Sequence, residues 1–241
     1  MKLEICCFNI QSALIAPQMG ASRIELCNSP AEGGTTPSLS TVEIARNHLR
    51  LDLFPIIRPR EGDFLYSEEE YQIMKSDIMY CKKAGCDGVV IGLLNPDGSI
   101  DKSRVSRLVE IAYPMEVTFH RAFDWCANPF EAMEDIITTG CTRLLSSGQK
   151  PTAPEGAQLL KELVRQAEDR IVVMPGSGIR SSNLSGIIEI TGAEEFHSSA
   201  RVLHKSRMEF LNDAMLEELS YWLADAGEVE AMATQLSPKE P

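Results

Sequence analysis

No run in this 241-residue chain approaches the ~20 consecutive apolar residues that a membrane-crossing helix needs. The opening string Met-Lys-Leu-Glu-Ile-Cys-Cys brings in Glu4 before any apolar signal core could form, so a cytoplasmic protein is expected. Cations are the scarcer sign: 23 Lys and Arg face 35 Asp and Glu, a net charge of −12, and the basic residues form no cluster. Neither nucleic acid nor an anionic membrane surface is then an expected partner, because both are gripped by grouped Lys and Arg. The seven cysteines are odd in number and contain no CxxC pair, which excludes the framework of a small secreted domain and points to reduced thiols. Also missing are an HExxH string, a GxGxxG after the first β-rich run, any low-complexity stretch and any linker. Against these absences stands a 44% hydrophobic content, enough to bury one substantial core, so residues 1–241 read as a single domain.

Eight short β-rich runs recur with helix-patterned stretches between them: Leu3–Cys7, Arg23–Cys27, Leu53–Arg58, Gly88–Leu93, Met115–His120, Thr142–Ser146, Ile171–Met174 and Glu194–Ser198. Ser67 followed by three glutamates opens one helix and Asn128-Pro129 another, while Gly20, Gly85, Gly140 and Gly192 close four. The even spacing predicts an α/β fold of the (β/α)8 TIM-barrel type. An open doubly wound sheet uses the same alternation, but the missing GxGxxG favours the barrel. The segment 207–223 is expected to add a helical excursion over Met208–Leu223 before a closing helix at Ala226–Leu236; the stretch from Arg207 on carries eight acids against two bases.

Period-two alternation puts an unusually polar set inside the barrel: Glu4 and Cys6, then Glu25 and Cys27, then Glu116, Thr118 and His120, then Glu195 and His197, with Arg58 at the end of the third strand. Such carboxylates must be paired or protonated. Arg58 is the expected counter-ion. The set reads either as a closed salt-bridge network or as a site, and the site is favoured because these residues gather at strand C-terminal ends. In an enzyme reading His120 and Glu25 act as acid and base near Asp124, Arg58 and Arg60 stabilise charge, and a small phosphate- or carboxylate-bearing ligand sits at the mouth. Its anionic group would be held by Gly176, Ser177 and Gly178 after the seventh strand and by His197, Ser198 and Ser199 after the eighth. Cys6 and Cys27, on neighbouring strands, read as a pair of soft donors for Cu(I), or as small apolar fillers.

Seven strings carry a resemblance: Leu3-Glu-Ile-Cys-Cys7, Arg23-Ile-Glu-Leu-Cys27, Glu32-Gly-Gly-Thr-Thr-Pro-Ser38, Pro55-Ile-Ile-Arg-Pro-Arg60, Val117-Thr-Phe-His-Arg-Ala-Phe-Asp124, Leu145-Ser-Ser-Gly-Gln149 and Glu195-Phe-His-Ser-Ser-Ala200. Together they closely resemble the CutC family, in order, from residue 3 to about residue 200. The resemblance implies a TIM barrel, a cytoplasmic location, a homo-oligomer (dimer or tetramer) and a role in copper homeostasis. It matches Cys27 to the second-strand cysteine and Cys6 and Cys7 to the first-strand pair to which Cu(I) binding is ascribed. It transfers no catalytic residue to His120 or Asp124.

Overall fold

Strand and helix alternate as the spacing requires. A computed structural model describes residues 1–212 and 214–237, and its strands run β1 Lys2–Cys7, β2 Arg23–Leu26, β3 Asp52–Pro55, β4 Gly88–Ile91, β5 Glu116–Phe119, β6 Arg143–Ser146, β7 Val172–Pro175 and β8 Glu195–Ser198. Helices α1 Ile10–Gln18, α2 Leu39–His48, α3 Glu68–Ala84, α4 Lys102–Ala112, α5 Pro129–Thr138, α6 Ala157–Ala167 and α7 Leu184–Thr191 separate them. Every pairing among β1–β8 is parallel. The ladder runs β3-β2-β1-β8 and β4-β5-β6-β7. Pro55 offers no N–H, so β3 meets β4 through the single bridge Ile56–Val90. β7 and β8 lie side by side at the other seam.

Local chemistry fixes the helix ends. Ser67 accepts from the Glu70 N–H while the Glu70 side chain takes the Ser67 N–H, a reciprocal cap at the start of α3. Asn128 caps α5, with Pro129 at its first turn. The outward residues Leu3, Ile5, Ile24, Leu26, Val89, Val117 and Phe196 pack under the helices in one continuous core. Inside the barrel a second, smaller cluster holds Cys6, Cys27, Phe54, Ile56 and Val90, with Phe8 above it.

The expected helix over Met208–Leu223 is not formed. Arg201–His204 (β9) and Tyr221–Ala224 (β10) pair as an antiparallel ribbon, and none of the described residues between them is helical. Tyr-Trp-Leu favours a strand, and cross-strand packing overrides the helical pattern. His204 lies against Tyr221 with ring centres 5.4 Å apart, and the Arg201 guanidinium lies 4.8 Å from the Trp222 ring centre. The closing helix α8, Ala226–Leu236, forms where expected, with Asp225 as its cap.

Candidate metal centre and barrel mouth

The lowest polar layer is a buried ion network. Arg23 stands beside Glu4 in register; its Nε meets Glu4 Oε2 at 2.5 Å and its Nη2 meets Glu195 Oε2 at 2.5 Å. Arg143 adds Nε to the same Glu195 oxygen at 2.7 Å and Nη2 at 3.1 Å to Glu116, expected inside the barrel but exposed at the start of β5, where the network reaches solvent. Both guanidinium groups rest on the Phe54 ring, 5.0 and 5.5 Å from its centre. The counter-ions of the interior carboxylates are therefore Arg23 and Arg143, and not Arg58. Burial opposes ionisation of Glu4, but Arg23 and His197 outweigh it and hold the carboxyl down at about 2.

One step toward the C-terminal ends of the strands lie Cys6, Cys27, Glu25 and His197. The two sulfurs are 3.5 Å apart. Both cysteines are buried, and none of the seven is in a disulfide. His197 Nδ1 donates to Glu4 Oε1 at 2.7 Å, which turns Nε2 toward Glu25 Oε2 at 3.8 Å. The Cys27 S–H directed at Cys6 and the neighbouring imidazole together overcome burial and bring the Cys6 thiol down to about 6. Cys27 moves the other way, because burial and the adjacent sulfur both oppose its charge. Burial and the Cys6 thiolate push Glu25 well above the usual carboxylate range, so it is the protonated member of the interior set. His197 is held protonated: its contacts with Cys6 and Glu4 outweigh the desolvation that opposes its charge. The donor atoms of Cys6, Cys27 and Glu25 lie within 4.8 Å of one another, as do those of Glu4, Glu25 and His197. Two soft sulfurs flanked by a carboxyl and an imidazole suit a thiophilic cation. Gly34 roofs the pair: a β-carbon there would sit 3.3 Å from Cys27 Sγ.

The other sequence-predicted residues divide between the mouth and its supports. Arg58 is buried, with Nη1 donating to the carbonyls of Glu32 and Gly34 and Nη2 to that of Gly62. Arg60 bridges Asp63 and Glu70. It also donates to the Glu61, Asp63 and Leu65 carbonyls, so the β3–α3 loop is laced around it. His120 is buried under Gly92 and against Phe64, and its Nδ1 accepts the Ala122 N–H. Burial, then Arg58 and Arg121, depress it to about 3, which leaves a neutral ring protonated on Nε2. Asp124 lies outside the cysteine group and binds the β6–α6 loop. It accepts from Ser146 Oγ, from both Ser147 donors and from the Gln149 N–H, and pairs with Arg121.

In the loops expected to hold an anion, the Gly176 N–H and the Ser177 and Ser198 hydroxyls are spent within the chain, whereas the Ser177, Gly178 and Ser199 N–H groups donate to no partner among the described residues. The Gly176 N–H donates to Ser146, Ser177 Oγ to Pro151 and Ser198 Oγ to Ile179, while the Gly178 carbonyl accepts from Asn183. Ser199 is half-buried beside them. Just beyond, Glu228 of α8 takes both the N–H and the hydroxyl of Ser181, so an internal carboxylate already sits there. The His197 ring bonds within the cysteine layer, and the same side chain abuts Gly176 at the edge of these loops. Arg23 and Arg143 are what the sequence reading overlooked. The signal was parity: Arg23 shares the face of Glu25 and Cys27, and Arg143 that of Leu145.

The model of the CutC family matches residues 1–202. A CutC family protein of Chromobacterium violaceum is 50% identical over 208 residues, covering 86% of this chain and 84% of that protein. The human copper homeostasis protein cutC homolog is 47% identical over 213 residues, 88% of this chain and 78% of its own. Among solved structures, CutC from Streptococcus agalactiae superposes with a TM-score of 0.79 at 30% identity, over 83% of this chain and 98% of that one. A phosphoribosylanthranilate isomerase from Thermotoga maritima, 12% identical with a TM-score of 0.60 over 98% of both chains, is similar in fold alone.

Proposed function

The chain belongs to the CutC family, and we propose that, in the copper-homeostasis role for which its human relative is named, it binds Cu(I) as cargo between Cys6 and Cys27 in the cytoplasm. The observation that carries this reading is the sulfur pair: two buried thiols 3.5 Å apart, one of them ionised near neutral pH. A compact soft cation prefers such sulfur donors and low coordination number. Arg23 and Glu4 hold His197 in place beneath the pair, and the protonated Glu25 keeps surplus negative charge from the layer. Cys27 and Cys6 are the proposed ligands; His120 and Asp124 take no part in holding the ion.

A homo-oligomer belongs to the same reading. It is supported by the β9–β10 connection, which exposes Met208, Phe210, Leu211, Met215 and Leu216, an apolar surface out of keeping with a lone subunit.

Competition against a Cu(I) chelator of known affinity tests the metal assignment. One tight equivalent is expected in the wild type, lost in Cys27→Ser and weakened in Cys6→Ser, because a hydroxyl is a poor ligand for Cu(I). His120→Ala should bind as the wild type does. Equal affinity in the wild type and the double serine variant contradicts the assignment.

A further inference from the structure

Among the described residues, three buried side-chain polar atoms lack a hydrogen-bond partner: Arg58 Nε, Tyr66 Oη and His120 Nε2. Folded proteins leave few such groups, because each one keeps its full desolvation cost. These three are not scattered. The Arg58 guanidinium carbon lies 5.1 Å from the centre of the Phe64 ring, and the His120 ring centre lies 5.1 Å from the same point. Tyr66 follows Phe64 by two residues in the β3–α3 loop; Arg58 acts directly on its hydroxyl, and the Arg60 guanidinium lies 5.2 Å from its ring centre.

All three are donors. The Ala122 N–H occupies His120 Nδ1, so the ring hydrogen is on Nε2. Burial holds the Tyr66 phenol protonated, with a pKa of about 12. Charge is unbalanced in the same direction. Arg58 is buried, its two Nη atoms reach only carbonyl oxygens, and no carboxylate among the described residues pairs with it. Neighbouring Arg60, by contrast, is neutralised by Asp63 and Glu70. One cation without a carboxylate partner, with three buried donors gathered around Phe64 and its loop, calls for a single negative charge spread over two oxygens, and a buried unpaired guanidinium is costly until one arrives.

We propose that Arg58, Tyr66 and His120 form a subsite for the carboxylate of a small organic acid, with the Phe64 ring as the apolar wall for its carbon skeleton. Arg58 grips the Gly34 carbonyl, and Gly34 roofs Cys27. The subsite and the cysteine pair therefore share one loop but no ligating residue.

Two variants isolate the donors without emptying the core. Tyr66→Phe removes only a hydroxyl, and His120→Asn keeps an acceptor for the Ala122 N–H while removing the far nitrogen. The experiment is thermal shift and calorimetric titration of the full chain with acetate, succinate and glutamate, with phosphate and glycerol as comparisons. At least one carboxylate should raise the melting temperature, its affinity should fall roughly fivefold or more in each variant, and phosphate and glycerol should have no effect. Three results overturn the proposal: no response to any carboxylate, which leaves only water on these donors; an equal response to phosphate or glycerol; or wild-type carboxylate affinity in both variants. Cu(I) affinity in the same variants should match the wild type, so this outcome is separate from that of the copper reading.

Discussion

Arg23 is the side chain whose removal should weaken the barrel most. It joins Glu4 to Glu195 from a position that is 1% exposed. Arg23→Met would leave Glu4 to His197 alone and Glu195 to Arg143, and a loss of roughly 3 kcal/mol is expected in denaturant unfolding at neutral pH. Replacing Arg58 should act differently, by loosening the Glu32–Gly34 and Gly62 carbonyls that it gathers. The Glu4 carboxyl supplies a pH test. Its folded value of about 2 lies below the unfolded value of ~4.3, so its contribution is complete above the unfolded value and is lost as the pH falls through the folded one. The stability advantage of the wild type over Glu4→Gln should therefore shrink between about pH 5 and pH 2; an advantage that grows on acidification would contradict the ion pair. At this scale the sequence showed which carboxylates face inward, because strand parity is strict. Which arginine neutralises them depends on height along the barrel axis: Arg23 stands at the level of Glu4 in the β1–β2 register, whereas Arg58 lies three residues beyond the end of β3, nearer the mouth.

Among the elements, helix ends were the most legible, since caps such as Ser67 with Glu70 and Asn128 with Pro129 are local chemistry written in adjacent residues. The β9–β10 ribbon was not legible, because a strand is specified by its partner and Tyr221–Ala224 finds Arg201–His204 across an intervening 16-residue connection. The ribbon's base is tied to the barrel: the Ala224 N–H donates to Ser12 Oγ, and Asn9 Nδ2 donates to the Trp222 carbonyl. Its connection is not part of the core, and Leu216 is 97% exposed. Replacing 206–219 with a short Gly-Asn turn should leave the melting temperature within a few degrees of the wild type and reduce the particle to one chain by light scattering. An unchanged particle mass would remove this connection from the oligomer contact.

At the scale of the whole molecule, the order of strands and helices was readable because each βα unit repeats the same switch from period two to period 3.6. The inward-facing cysteines were readable for the same reason. The subunit count and the hidden donors at Arg58, Tyr66 and His120 were not, since the former depends on surfaces formed only after folding and the latter on where the β3–α3 loop comes to rest. The central claim is that this barrel carries Cu(I) between two strands, on sulfur. Copper K-edge X-ray absorption of the chain loaded with one equivalent of Cu(I) tests it most directly. The account predicts a first shell dominated by two sulfur scatterers in the wild type, reduced to one in Cys27→Ser; a shell of nitrogen and oxygen alone, or a sulfur shell that survives Cys27→Ser unchanged, would contradict it.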